Sequence, residues 1–398
     1  MNIVCVSHLR WDFVFQRPQQ LLSRAARHGT VLYIEEPTIV HGDSHLHVSG
    51  HADGLRVIEL RISSHCPPAE RHASARRLIA EAIEKYVQGE FVLWYYTPMA
   101  LPFTYELNAT VVVYDCMDEL SAFAGAPSEM RAYESELFRI ADVVFTGGQS
   151  LYDAKRLRHE RVLLFPSSVD VPHFARARRG AEAPPDQALI PRPRIGFFGV
   201  IDERMDYDLL RGVARERPDW HLVLVGPTAK VDPATLPQAP NLHYLGAKAY
   251  AELPNYIAGW DVAMLPFARN ESTRFISPTK TPEYLAAGRP VVATSIQDVV
   301  KPYGEQRLVR IADSVSDFTA AVEASLLEEP QERQRRADAF LANLSWDRTW
   351  RGMEEAISQA AAEKNAATKA ALDGIGPREG RSHPFSERGE TTCSTISS

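Results

Sequence analysis

Phe275-Ile276-Ser277-Pro278-Thr279-Lys280-Thr281-Pro282-Glu283-Tyr284-Leu285-Ala286-Ala287-Gly288-Arg289-Pro290-Val291-Val292-Ala293-Thr294 is the stretch around which the rest of the chain is organised. Thr281 suits an N-cap, Pro282 the first helical position and Gly288 the left-handed residue past the end, while Arg289-Pro290 bars continuation. The spacing predicts a short helix punctuated at both ends. Val291-Val292-Ala293 is apolar and mostly β-branched, as a buried parallel strand requires, so the unit reads loop, helix, strand. Ser277, Thr279 and Lys280 place two hydroxyls, a cation and unpaired backbone N–H groups at the helix N-terminus, where an anion is stabilised. They are candidate phosphate ligands. Glu283, one turn in, is a candidate acceptor of hydrogen bonds from a ribose diol.

The run from Pro282 to Val292 resembles the donor-binding signature of GT-B glycosyltransferases, in which a Glu five residues before the Gly binds the nucleotide ribose; Glu283 and Gly288 have that spacing. Many members carry a further Glu eight residues upstream, where this chain has Phe275. Within the group the chain is most similar to bacterial family-1-type transferases of surface-polysaccharide assembly, including those that make teichuronic acid and xanthan. The resemblance implies an α/β protein of GT-B architecture, two Rossmann-like doubly wound parallel-sheet domains facing a cleft. It also implies a nucleotide-sugar donor, with UDP favoured over GDP, and no metal or other cofactor.

With 398 residues the chain is long enough for two domains, and its 45% apolar share is ordinary for a globular protein. A net charge of −7 argues against a nucleic-acid binder held by a general positive field. Cys5, Cys66, Cys116 and Cys393 are scattered without Cys-x-x-Cys spacing, which suggests neither a disulfide framework nor a zinc site and fits a reducing cytoplasm. Asn2-Ile3-Val4-Cys5-Val6 is too short an apolar run for a signal peptide, and no window reaches the length of a membrane span. The expected location is cytoplasmic, with peripheral contact at the inner membrane face supported by Arg17, Arg24, Arg27, Arg71, Arg76 and Arg77.

Strand and helix patterns alternate along the first half, as in a doubly wound sheet. Residues 1–174 read as an acceptor-side domain. Its first strand, Ile3 to Val6, leads into a loop crowded with His8, Arg10, Trp11, Asp12, Phe15, Gln16 and Arg17, which faces the crevice at the carboxyl ends of the strands. Gln16 and Arg17 are the candidate acceptor contacts. His41 to His51 contains four histidines without a common register and reads as a solvent loop. The strand Val111 to Asp115 opens into Asp115-Cys116-Met117-Asp118-Glu119, three carboxylates at the crevice edge. An inverting transferase needs one base beside the acceptor hydroxyl, and a partly desolvated carboxylate serves. By resemblance to the xanthan-type enzymes Asp118 takes that role, with Asp115 in reserve.

Residues 175–193, rich in Ala, Arg and Pro, read as a linker, and 194–344 as the nucleotide-sugar domain. There Gly199 follows a strand, and Arg204 lies in the loop beyond it. In the family the matching loop lets backbone and a basic residue approach the pyrophosphate. Residues 345–362 read as a terminal helix crossing back to the first domain, and 363–398 as a disordered tail. The combined expectation is an inverting transfer from a nucleotide sugar to a glycan or lipid-linked acceptor. Two alternatives use the same binding residues: a UDP-sugar 2-epimerase and a non-catalytic nucleotide-sugar binding protein.

Overall fold

Ile3, Val4, Cys5 and Val6 are almost wholly inaccessible to solvent, as a strand covered by helices on both faces must be. The structure, a computed structural model, describes residues 1–180 and 182–373. In the first half β1 (Asn2–Ser7), β2 (Val31–Glu35), β3 (Thr38–Val40), β4 (His45–Ala52), β5 (Leu55–Ser63), β6 (Phe91–Tyr95), β7 (Val111–Cys116), β8 (Val143–Thr146) and β9 (Val162–Leu164) form one sheet. Its order is β3-β5-β2-β1-β6-β7-β8-β9, with β4 on β5. All pairs are parallel except β4 with β5. In the second half β10 (Arg194–Phe198), β11 (His221–Val225), β12 (Leu242–Tyr244), β13 (Val262–Leu265), β14 (Val291–Ala293) and β15 (Arg310–Ile311) pair in parallel in the order β12-β11-β10-β13-β14-β15. Strand order therefore reverses beside β1 in one sheet and beside β10 in the other, and a ligand crevice opens at the carboxyl ends at such a point.

The helix Arg71–Tyr86 covers one face of the first sheet, burying Ala75, Leu78, Ile79 and Ala82. The other face is covered by Arg17–Ala25 and by the last helix, Trp346–Asp373. The second sheet has its own core around Phe197, Trp260 and Tyr284. Among the described residues no helix is long and apolar enough to cross a membrane.

Several sequence expectations need correcting. The histidine-rich segment is a strand: His45 and His47 face outward while Leu46 and Val48 pack on the core, a period of two that the histidines obscured. The linker has turns of helix at Ala175–Arg179 and Pro185–Ala188. Gln187 in it is buried, bonded to Tyr256 O at 2.9 Å and to Trp260 Nε1 at 2.8 Å. The last helix continues through residues 363–373, which were expected to be disordered; residues 374–398 of that tail lie outside the described residues. The basic side chains assigned to a membrane face are largely paired within the chain: Arg17 with Asp115, Arg24 and Arg27 with Asp347, and Arg76 with Glu106.

Candidate active site in the interdomain cleft

The central helix spans Lys280–Ala286, starting earlier than Thr281-Pro282 suggests. Thr281 is not the cap. Its hydroxyl is buried without a partner, and Thr279 stands at the N-cap position. Gly288 does take the left-handed conformation, with φ of 75°, and its N–H and that of Arg289 close the helix on Leu285 O and Tyr284 O. The expected row of free amides is shorter than the sequence suggests. Thr281 N donates to Pro278 O at 3.1 Å, Glu283 N to Thr279 O at 3.4 Å, and Pro282 has no N–H. An anion here would be held chiefly by side-chain cations.

Those cations are in place. Gly199 has φ of 141°, and a Cβ added to it would fall 2.2 Å from Lys280 Cε, so only glycine lets the lysine lie over the end of β10. Gly226, with φ of 150°, passes so close that its Cβ would meet Gly199 O at 1.9 Å. Arg204 arrives from the next loop, its guanidinium held bidentately by Asp202, Nε donating to Oδ1 at 3.0 Å and Nη2 to Oδ2 at 2.6 Å. Glu283 is 7% exposed and its Oε2 has no hydrogen-bond partner. Burial pushes its pKa up to about 8, against the pull of Lys280. Burial in turn lowers the pKa of Lys280.

A cleft of about 510 Å³ brings these groups together. The first domain contributes Trp11, Asp12, Phe13, Phe15 and Gln16 to its wall, and the second contributes Gly199, Arg204, Gly226, Tyr250, Lys280 and Glu283. A smaller cavity of about 70 Å³, which shares Gln16, Arg204, Thr279 and Lys280 with it, contains Asp118, Arg17 and Ser277. Asp118 is half-buried, and desolvation raises its pKa while Arg204 and Lys280 oppose the rise. It is a carboxylate with basic character beside two cations.

Asp115 and Arg17 require correction as site residues. Asp115 is fully buried, and both its oxygens receive hydrogen bonds from Arg17, at 3.0 Å each. Arg17 is 1% exposed and also donates to Phe165 O at 2.8 Å. A carboxylate so engaged has no lone pair directed at a substrate, and a guanidinium so engaged has little left for an acceptor. Ser277 lies on the seam between the domains. A Cβ on Gly148 would come within 2.6 Å of Ser277 Cβ and 2.2 Å of Asp298 Oδ2.

Sequence reasoning missed Tyr250 and Phe123, and named His8 without giving it a role of its own. Tyr250 stacks on Phe15 across the cleft at 4.4 Å and accepts from Gln20 Nε2 at 3.1 Å; nothing in Ala249-Tyr250-Ala251 marks it. His8 was visible in the crowded loop. Its Nδ1 is buried without a partner, and burial together with Lys230 lowers its pKa to about 4, so the ring is neutral at pH 7. Phe123 lies between two cations of the second domain, 5.7 Å from the Arg204 guanidinium and 5.3 Å from Lys230 Nζ. Among the described residues no group of three or more His, Cys, Asp and Glu side chains is arranged to hold a metal ion.

Comparison with known proteins agrees with this fold. Residues 192–328 match the family described as glycosyl transferases group 1. A putative teichuronic acid biosynthesis glycosyltransferase of Bacillus subtilis (strain 168) is 27% identical over 272 residues, 63% of this chain and 67% of the relative. Among solved structures, sucrose-phosphate synthase of Thermosynechococcus elongatus superposes with a TM-score of 0.67 at 15% identity, covering 91% of this chain and 99% of that one. HepE of Anabaena, solved with UDP and glucose, gives 0.62 at 15% identity over 89% and 99%. The chain is a glycosyltransferase of the hexosyltransferase type on the GT-B fold, and its match to group 1 glycosyltransferases lies in the second domain, over residues 192–328.

Proposed function

We propose that the chain transfers a sugar from a nucleotide sugar, with UDP the favoured nucleotide, to a glycan or lipid-linked acceptor in the assembly of a bacterial surface polysaccharide. The observation that carries this reading is the convergence of Gly199, Arg204, Lys280 and Glu283 on one cleft that runs on to Asp118. The leaving diphosphate gains negative charge in the transition state, and preorganised cations stabilise that charge without reorganisation. Lys280 and Arg204 supply them, so the reaction needs no metal. Glu283 receives the ribose hydroxyls on a carboxyl group that otherwise lacks a partner for one oxygen. Asp118 takes the acceptor proton, and attack from its side inverts the anomeric centre. UDP is favoured because the Anabaena neighbour was solved with it, and the polysaccharide role follows the Bacillus relative's name. A lipid-linked acceptor would bring the chain transiently to the inner membrane face.

Thermal unfolding with UDP and GDP tests the donor half. A ligand at a hundred times its Kd stabilises by about 2.7 kcal/mol, a rise of several degrees in Tm; no shift with either nucleotide would sink the reading. Asp118→Asn is expected to lower kcat by about a hundredfold or more and to leave nucleotide affinity within about twofold, since it removes a proton acceptor and no donor contact. The anomeric configuration of the first product, read by NMR, decides inversion.

A further inference from the structure

At the opposite edge of the second sheet from the cleft, where β14 and β15 begin, lies a second cavity of about 430 Å³. None of its lining residues belongs to the cleft. Val291, Leu308, Val309 and Ile311 give it an apolar floor. Its charged groups are Arg307, Arg310, Arg333 and Arg336, with Glu328 the single carboxylate. Glu328 engages Arg310 at 3.4 Å and Arg336 at 3.0 Å. Arg307 and Arg333 are left with no carboxylate within 4.0 Å among the described residues.

Arg333 is the unusual member. It is 8% exposed, and one nitrogen, Nη2, is engaged, by Gly288 O at 3.1 Å. Arg336 Nε is also buried with no acceptor. Burial, reinforced by Arg336 and Arg310, lowers the pKa of Arg333 despite the opposing pull of Glu328. A buried guanidinium with no carboxylate in direct contact is unfavourable unless an anion completes it. Planar guanidinium groups converging on one space match the oxygens of a phosphate in bidentate fashion. The volume exceeds a water molecule's share of about 30 Å³ more than tenfold, so a phosphate ester or diphosphate has room.

We propose that this cavity is a second anion site, remote from the cleft, that takes a phosphate or diphosphate group. The group reaches it either on a small soluble molecule or on a lipid headgroup. Inorganic pyrophosphate is the probe for the first source, titrated by calorimetry into the full chain carrying Lys280→Ala, so that the cleft has lost its central cation. Vesicles of phosphatidylglycerol in phosphatidylcholine probe the second by flotation. Arg307→Ala with Arg310→Ala removes two exposed guanidiniums and leaves Glu328 paired with Arg336, so the fold is expected to persist with an unchanged or higher Tm.

Pyrophosphate is expected to bind the Lys280→Ala chain and to lose at least fivefold in affinity when the two arginines are also removed. Vesicle recruitment that is lost in the same variant and competed by pyrophosphate would assign the headgroup source; pyrophosphate binding without recruitment would assign the soluble one. A loss smaller than fivefold in both assays, or binding of neither probe, overturns the proposal. Because these readouts use a chain disabled in the cleft, they stand whether or not UDP stabilises the wild type.

Discussion

Glu283 and Lys280 show how a site can be built from groups that are uncomfortable without a ligand. Glu283 is buried with an unpartnered oxygen, and its pKa is raised from 4.5 to about 8. Between those values the unfolded chain has released the proton and the folded chain has kept it. The folded state therefore binds more protons, and its stability falls as pH climbs through that window. Lys280, lowered from 10.5, acts with the opposite sign, gaining stability as pH rises between its own lowered pKa and 10.5. Urea unfolding is expected to give a larger free energy at pH 5 than at pH 8, and Glu283→Gln, which mimics the protonated acid, to remove most of that slope. An equal slope in both proteins would assign the effect to other groups. Glu283 and Lys280 were legible in the sequence because their spacing from Gly288 is local. Their protonation was not, because it depends on how completely the cleft walls exclude water.

At the scale of elements, the buried strands at Ile3 to Val6, Val111 to Asp115 and Val291 to Ala293 read correctly because continuous apolar runs must be covered on both faces, whereas β4, half-exposed and interrupted by histidines, was taken for a loop. The contact between Arg17, at the start of one helix, and Asp115, near the end of β7, could not be read, because 98 residues separate them. Arg17 was assigned to the cleft on its loop position, and Asp115 on its place among the carboxylates at the crevice end of a strand. The pair instead joins the first helix, β7 and the loop at Phe165. Removing one member of a buried pair strands the other charge and costs about 3–5 kcal/mol, while replacing both with apolar groups of similar size is often neutral. Arg17→Met is thus expected to destabilise by about 3–5 kcal/mol, and Arg17→Met with Asp115→Leu by clearly less, as measured by urea unfolding. A direct role of Arg17 in acceptor binding would instead give Arg17→Met near-normal stability and a raised acceptor KM. The helix cap was misread for a related reason: Thr281 has the right residue type, but the helix begins earlier and buries it.

At the scale of the molecule, the chain leaves the first domain near Phe174, builds the second and returns, so the last helix completes a core begun at residue 3. Trp346, Trp350, Met353 and Ile357 are each 6% exposed or less and pack with Trp94 and Phe145. Trp350 stacks on Trp94 at 6.3 Å. Farther along, the same helix touches the domain through surface ion pairs, Arg161 with Glu363 and Lys364 with Asp142. The two modes differ in strength. Burying a large apolar side chain contributes about 1.5–3 kcal/mol and deleting one leaves a cavity besides, whereas an exposed pair contributes about 0–1 kcal/mol. Trp350→Ala is therefore expected to destabilise the first domain by about 3–5 kcal/mol, and Lys364→Ala by less than about 1 kcal/mol, both read from urea transitions followed by tryptophan fluorescence. Because this helix packs on the first domain, which supplies one wall of the cleft, Trp350→Ala is also expected to weaken nucleotide binding in the cleft at urea concentrations that leave the second domain folded. Unchanged binding under those conditions would show that the second domain holds the nucleotide without the first.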